Sequence, residues 1–507
     1  MKPEYDLVII GGGINGCGIA RDAAGRGLSV LLVEQADLAG ATSSGSSKLI
    51  HGGLRYLEQY EFRLVREALQ EREVLLRIAP HLIYPLEFIL PHDDSMRPAW
   101  MIRIGLWMYD HLGGKISLPG SRGVAFPDRK YSAGLKSGIR RGFFYSDARV
   151  DDARLTLITA ISAREHGADV LTRTRCAAGR RHGGRWEITL QNADSGERFT
   201  VASKGVVNAA GPWVKHLLDD ALHIPMAATV KLVKGSHIIV PRVHDEDHAY
   251  ILQNDDRRVA FIIPYQERFS LIGTTDVSVG SIDEAKAITD EETAYLVRAV
   301  NRFLAEPLRE TDVIWSYAAV RPLYDDGSVN PSEITRDYIF KIDHQDGTLP
   351  LLSIFGGKIT IHRKLAEHAL EKLRPFYAAL GAEWTDGEAL PGGDFSDTAG
   401  AVRALQGRYP KLPGDFIARV FSRHGTRSAR VLGSAASLDD LKPLFGSGAN
   451  QLCAREIEYL VREEWARDAE DILWRRTKCG LHLTQSERDA AAAHIRQTVE
   501  RISAGAA

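Results

Sequence analysis

The stretch YDLVII (Tyr5–Ile10) is a short, mostly apolar run, the pattern of a strand buried in a parallel sheet. It is followed by Gly11, Gly13 and Gly16, a helical pattern from about Ile14 to Arg26, and a second apolar run, SVLLV, that leads into Glu34. Further on, GVVNAAGPWV (Gly205–Val214) reads as a strand ending in a turn of small residues, and LLSIFGGKITIHRKLAEHALEKL reads as strand, Gly-Gly-Lys, then helix. Between them, from VKLVKGSHIIVPR through VAFIIPYQERFSLIGTTDV, Val, Ile and Phe alternate with polar residues between turn signals, which predicts antiparallel strands. Past LPGGDFSDTAG the period changes. In AREIEYLVREEWARDAEDILWRRT the apolar residues recur every three or four positions, so a helical domain is expected from about Pro391.

One segment carries two readings. RPAWMIRIGLWMYDHLGGK sets Trp100, Met101, Ile102, Ile104, Leu106, Trp107 and Met108 beside Arg97, Arg103 and Lys115. It fits a buried core helix, and it fits an amphipathic helix lying in a membrane interface. DHQDG (Asp343–Gly347) lacks the spacing and the later Glu of an EF-hand loop, so it predicts a hairpin turn and no metal site.

The glycine spacing changes the picture most. Gly11, Gly13 and Gly16 stand in G-x-G-x-x-G order between strand and helix, and Glu34 follows at the distance expected of an acidic ribose ligand. Gly11 allows the tight turn, Gly13 the approach of backbone to a pyrophosphate, and Gly16 the packing of helix on strand; the helix N-terminus attracts phosphate. The motif alone fits NAD and FAD equally. After Glu34, however, comes the Gly- and Ser-rich segment ATSSGSSKLIHGGLRYLEQ, and no second G-x-G-x-x-G follows. One dinucleotide site with close-approach turns dispersed along the chain suits FAD lying extended.

Composition narrows the rest. The 507 residues suffice for two or three domains, with 44% hydrophobic and 26% charged residues. A net charge of −2 gives no sign of a nucleic-acid partner, which normally needs a basic stripe. Cys17, Cys176, Cys453 and Cys479 form no CxxC pair, which argues for a reducing compartment without disulfides or zinc. No signal peptide and no spanning apolar run are read, so a cytoplasmic location is expected.

The chain resembles the FAD-dependent glycerol-3-phosphate dehydrogenases of the aerobic, membrane-associated type, within the glycine/D-amino-acid oxidase superfamily. The resemblance covers almost the whole chain and rests on IIGGGINGCGIARDAAGRGLSV, ATSSGSSKLIHGGLRYLEQYEFRLVREAL, RPAWMIRIGLWMYDHLGG, DDARL, VVNAAGPWVK, KGSHIIVPR, IGTTDV, VRPL, ITRDY, FGGKIT and RKLAEHALEKL, in family order. It implies an α/β fold in which an FAD-binding Rossmann-type domain (about 1–85, 145–220 and 335–390) is interleaved with a mostly antiparallel β substrate domain (about 86–144 and 221–334). A C-terminal helical domain (391–507) completes the 1–390 oxidoreductase region.

The implied reaction is hydride transfer from C2 of sn-glycerol 3-phosphate to flavin N5, giving dihydroxyacetone phosphate. The compact run from IGTTDV to FGGK favours the dehydrogenase branch, which passes electrons to membrane quinone, over the oxygen-using oxidase branch. Peripheral membrane association on the cytoplasmic face, and a homodimer, fit the same resemblance. Rivals are an oxygen-using glycerol-phosphate oxidase, an amine or amino-acid oxidase on the same scaffold, and a flavin-binding protein without turnover.

The resemblance assigns Arg55, Tyr56, Thr275, Arg321, Arg336 and Lys358 to the substrate, arginine suiting phosphate through its planar fork. It places His51, His237, Arg321 and Lys358 at the catalytic centre, with His51 slightly preferred to His237 as base; either histidine also fits a structural role. Cofactor contacts are expected from Gly11, Gly13, Ile14, Asn15, Gly16 and Glu34, from Thr42, Ser43, Ser47, Lys48, Leu49 and His51, from Ala210, Gly211 and Trp213, and from Gly356, Gly357, Lys358 and Thr360. The helix after Gly-Gly-Lys would aim its positive N-terminus at the flavin. The chain departs from the family at Ile361 and His362, where Thr and Tyr are usual.

Overall fold

The computed structural model describes residues 2–92, 97–126, 129–256, 258–325 and 337–505. Two large sheets share the first two-thirds of the chain. In the first, the strand Glu4–Ile10 lies between two parallel neighbours, Val30–Val33 and Arg198–Asn208, and Arg198–Asn208 pairs in parallel with Thr348–Phe355. Leu7, Val8 and Ile9 are fully buried, which is why an apolar run without alternation forms here. The helices Ile14–Gly25, Asp152–Glu165 and His362–Leu373 cover this sheet. Asp151 starts the second of them by accepting the Arg154 N–H through its side chain. The expected hairpin at Asp343–Gly347 joins Ile339–Gln345 to Thr348–Phe355.

Among the described residues the second sheet has ten strands and is mostly antiparallel, with Val230–Pro241 pairing Phe269–Gly273, Val277–Val279 and Trp315–Tyr324. The segments interleave as the α/β reading expects, but the expected limits at 85/86 and 144/145 fall inside strands. Ile83–His92 and Arg141–Val150 both belong whole to the second sheet. From Thr398 the chain is mostly helical, with one short strand pair, Leu444–Phe445 with Leu452–Cys453, and its own core around Phe416, Ile417, Leu460 and Ile495. This part reaches back to the first sheet through ion pairs: Arg475 Nε and Arg476 Nη2 bind the buried Asp37 at 2.7 and 2.8 Å, and Lys478 bonds Asp151.

The helix Ala99–Leu112 overturns the buried-core reading of its segment. Leu106 and Tyr109 are buried, but Trp100 and Trp107 are 63% and 59% exposed, and Met101 and Ile104 stand out beside them. No helix among the described residues is long and apolar enough to cross a membrane, and none of their His, Cys, Asp and Glu side chains gather into a metal-binding group.

Buried neutral histidines make the fold acid-sensitive. Burial lowers His81 and His248 to about 3 and His244 and His362 to about 4. Their folded pKa lies below the free value, so the stability they carry is complete above about pH 6.5 and drains away as pH falls toward 4. At pH 5.5 each costs about 1.4 kcal/mol, the four together about 6 kcal/mol, a sizeable part of a typical folding free energy. Calorimetry should show Tm lower by several degrees at pH 5.5 than at pH 7.5; an unchanged Tm would contradict this.

Candidate active site

Four chain reversals lie at the carboxyl ends of neighbouring parallel strands. Gly11 follows Glu4–Ile10, Glu34 follows Val30–Val33, the Ala209–Gly211 turn follows Arg198–Asn208, and Gly356 follows Thr348–Phe355. Turns dispersed over more than three hundred residues thereby meet along one edge, the crevice where open α/β sheets hold ligands. A cavity of about 860 Å³ opens there and continues beneath the second sheet.

Its first end is built of backbone. Gly11 has φ +118°, and a Cβ there would lie 2.4 Å from the Ala209 carbonyl oxygen. A Cβ on Gly16 would lie 1.9 Å from the Gly11 oxygen, so Gly16 packs beneath the turn and does not face the cavity. Gly13 and Ile14 begin the helix at the cavity wall, where Ser43 Oγ accepts the Ile14 N–H at 2.9 Å. Glu34 accepts the N–H groups of Gly12 and Ala36 at 2.7 and 2.8 Å. That leaves carboxylate lone pairs for hydroxyl donors, while burial raises its pKa.

The middle is lined by Asn15, Thr42, Ala210, Gly211 and Trp213. Thr42 donates its hydroxyl to the Val320 carbonyl at 2.6 Å. Asn15 Nδ2 reaches the Gly356 carbonyl at 3.4 Å, and its buried Oδ1 has no hydrogen-bond partner among the described residues. Gly356 and Gly357 have φ +82° and +102°, and a Cβ on Gly357 would lie 2.8 Å from Asn15 Nδ2. The helical turn Ile359–Ile361, continued as His362–Leu373, starts just beyond. His362 is buried, with Nδ1 on the Ile359 carbonyl at 2.8 Å, and lies outside the cavity lining.

At the far end Leu49, Ser47, His51, Tyr56, His237 and Arg321 meet Lys358 and Thr360. The Lys358 ammonium stands 3.5 Å over the Tyr56 ring centroid. Burial, and then the Lys358 charge, lower His51 to about 4, so its imidazole is neutral. Thr360 Oγ1 accepts the His51 backbone N–H at 3.4 Å. Ser47 Oγ lies 2.9 Å from His237 Nε2, and the His237 ring stacks on Tyr317 with centroids 4.8 Å apart. Burial first, then Arg321 and Lys48, hold His237 well below its ordinary pKa. Arg321 pairs with Asp276 and donates to Thr274 Oγ1 at 2.9 Å.

Two expected side chains point elsewhere. Lys48 has φ +57°, and its ammonium turns to Asp152 at 2.9 Å and the Ser44 carbonyl at 2.8 Å, away from the large cavity. Thr275 is buried with its hydroxyl on Glu292 at 2.9 Å; Thr274 and Asp276 on either side line the cavity instead. These three residues join the strands Phe269–Gly273 and Val277–Val279, so no strand alternation marked which of them would face the cavity. Arg336 lies outside the described residues, and only the backbone of Arg55 is described, in the turn Leu54–Gln59. Sequence reading also missed Tyr145 and Phe261, which wall the far end from the second sheet.

A continuous cavity with a backbone cradle, a ribose acceptor at one end and cations at the other fits a bound FAD. Comparison with known proteins agrees. The model of the FAD dependent oxidoreductase family matches residues 6–363, and that of the C-terminal domain of alpha-glycerophosphate oxidase matches residues 384–503. A glycerol-3-phosphate dehydrogenase of Pseudomonas aeruginosa is 54% identical over 96% of this chain and 93% of its own. A D-erythritol 1-phosphate dehydrogenase of Brucella abortus is 48% identical over 96% and 97%. The solved glycerol-3-phosphate dehydrogenase from Bacillus halodurans complexed with FAD superposes with TM-score 0.76 at 26% identity, covering 99% of this chain and 91% of that one. The chain belongs to the FAD dependent oxidoreductase family, in the branch that contains the glycerol-3-phosphate dehydrogenases.

Proposed function

We propose that this enzyme oxidises sn-glycerol 3-phosphate to dihydroxyacetone phosphate and passes the electrons to a membrane quinone. The observation that carries the reading is the far end of the cavity, where Lys358 and Arg321 bring positive charge to two neutral histidines. Bound FAD supplies the hydride acceptor at that end. Gly11, Gly13, Ile14 and Glu34 would hold its ADP half, and Gly356, Gly357 and Thr360 would let the backbone approach its ring.

Lys358 and Arg321 bind the phosphate dianion, which competes with Asp276 for the guanidinium. Tyr56 positions the Lys358 ammonium beneath it. His51 takes the C2 hydroxyl proton: it is neutral, faces the cavity, and gains basicity when the dianion arrives. His237 is already tied to Ser47 and stacked on Tyr317, which suits it to orienting the substrate.

The kinship with a D-erythritol 1-phosphate dehydrogenase supports one second reading, a four-carbon polyol phosphate. Tyr145 and Phe261 close the far end with bulk, which favours the shorter substrate. Initial rates of dye reduction with the two phosphates decide. Higher kcat/KM for glycerol 3-phosphate is expected, and a preference for erythritol 1-phosphate would replace the assignment.

The exposed face of Ala99–Leu112 supports peripheral membrane attachment, since two tryptophans and two aliphatic side chains outside the core are costly to leave in water. Co-sedimentation with anionic vesicles should fall at least fivefold in the Trp100→Ala/Trp107→Ala double variant, with dye-linked turnover unchanged. Equal sedimentation would remove this helix as the anchor.

A further inference from the structure

The strand Val230–Pro241 shows two faces near the cavity. Gly235 and His237 line it, while Lys234 and Ser236, buried to 2% and 0% exposure, point the other way. Behind them sits Glu292, in the first turn of the helix Asp290–Asn301 and outside the cavity lining. Its Oε2 accepts Lys234 Nζ at 2.7 Å and the Thr289 N–H at 3.0 Å. Its Oε1 accepts Ser236 Oγ at 2.8 Å and Thr275 Oγ1 at 2.9 Å. Four donors use the full capacity of one carboxylate. Capping the helix explains only the Thr289 bond.

The other three bonds tie together two pieces of backbone. Ser236 precedes His237 in the strand, and its N–H donates to Thr275 Oγ1 at 3.0 Å. Thr275 sits between the two residues that hold Arg321, and its own carbonyl accepts Arg321 Nη1 at 3.3 Å. Gly235 leaves room for the guanidinium, since a Cβ there would lie 2.5 Å from Arg321 Nη2. The guanidinium therefore rests on a strand and a turn that Glu292 clamps from behind.

We infer that Glu292 is a positioning residue for the phosphate end of the site, acting through Thr275 and Ser236 on Arg321 and His237; this rests on the assignment of Arg321 to the substrate phosphate. Without its carboxylate, Lys234 and two hydroxyls lose their acceptor in a buried place, and the turn moves to find others.

The test compares Glu292→Ala, Glu292→Gln, Thr275→Val and Arg321→Ala as FAD-loaded full-length enzymes. Glu292→Ala and Thr275→Val should each raise KM for glycerol 3-phosphate at least tenfold, with kcat within about threefold and flavin content unchanged. Glu292→Gln, which keeps Oε1 as an acceptor, should recover most of that KM. In the Arg321→Ala background Glu292→Ala should add less than twofold, because residues acting on one contact are not additive. Should Glu292→Ala fail to fold, Thr275→Val decides alone. Normal KM in Glu292→Ala or Thr275→Val, beside a raised KM in Arg321→Ala, overturns the inference and spares the site assignment. An unchanged KM in Arg321→Ala overturns both.

Discussion

Replacing Lys358 with methionine is expected to lower kcat/KM for glycerol 3-phosphate by about 10²–10³-fold, the usual consequence of deleting one preorganised charge from a site that excludes water. Methionine keeps the length and apolar stem of the side chain, so the packing against Tyr56 survives while the cation 3.5 Å above its ring is lost. Two further results separate this from general damage. Flavin content per chain stays normal, because the cradle at Gly11, Gly13 and Glu34 lies at the other end of the cavity. The pKa of His51 rises from about 4, since the Lys358 charge is one of the two causes holding it down, after burial. A methionine variant with normal kcat/KM would remove Lys358 from the reaction.

The second large effect is expected at Gly11. Alanine there should yield protein without bound flavin, read as the ratio of flavin absorbance to polypeptide after purification. Two costs coincide: φ +118° is a backbone conformation that side chains rarely adopt, and the new Cβ would stand 2.4 Å from the Ala209 oxygen. Relief requires moving the Gly11 turn or the Ala209–Gly211 turn, and both line the cavity. Gly27→Ala is the control. Its φ is +91°, and no atom lies within 4 Å of the added Cβ, so it bears the conformational cost without the collision and keeps its flavin. Full flavin content in Gly11→Ala would contradict the cradle.

What the sequence revealed of this site depends on how each residue is held. Gly11, Gly13, Gly16 and Glu34 were legible because their spacing within one strand–helix–strand unit is itself the geometry. The turns at Ala210 and Gly356 could be recognised as close approaches. Their meeting with Gly11 depends on strand order, which brings Thr348–Phe355 beside Arg198–Asn208 and that beside Glu4–Ile10. Lys48 and Thr275 show the limit at single residues. A positive φ turns Lys48 away from the cavity, and Thr275 turns its hydroxyl to Glu292 while Thr274 and Asp276 line the wall. Glu292 carries no motif beyond a helix cap, and its bonds to Lys234, Ser236 and Thr275 arise only from tertiary packing. The same is true of Asp37, held by Arg475 and Arg476 from the far end of the chain. The residues of Ala99–Leu112 fitted a buried core helix and an interfacial one alike, and which of its apolar residues found a core was decided by the neighbouring sheet.

The most direct test of the proposed function is the anaerobic absorbance spectrum of the purified, FAD-loaded protein on addition of glycerol 3-phosphate. Bleaching of the oxidised flavin bands, followed by their recovery when a soluble quinone is added, is the predicted result. An oxidised spectrum that glycerol 3-phosphate leaves unchanged would contradict the assignment of Lys358 and Arg321 to its phosphate.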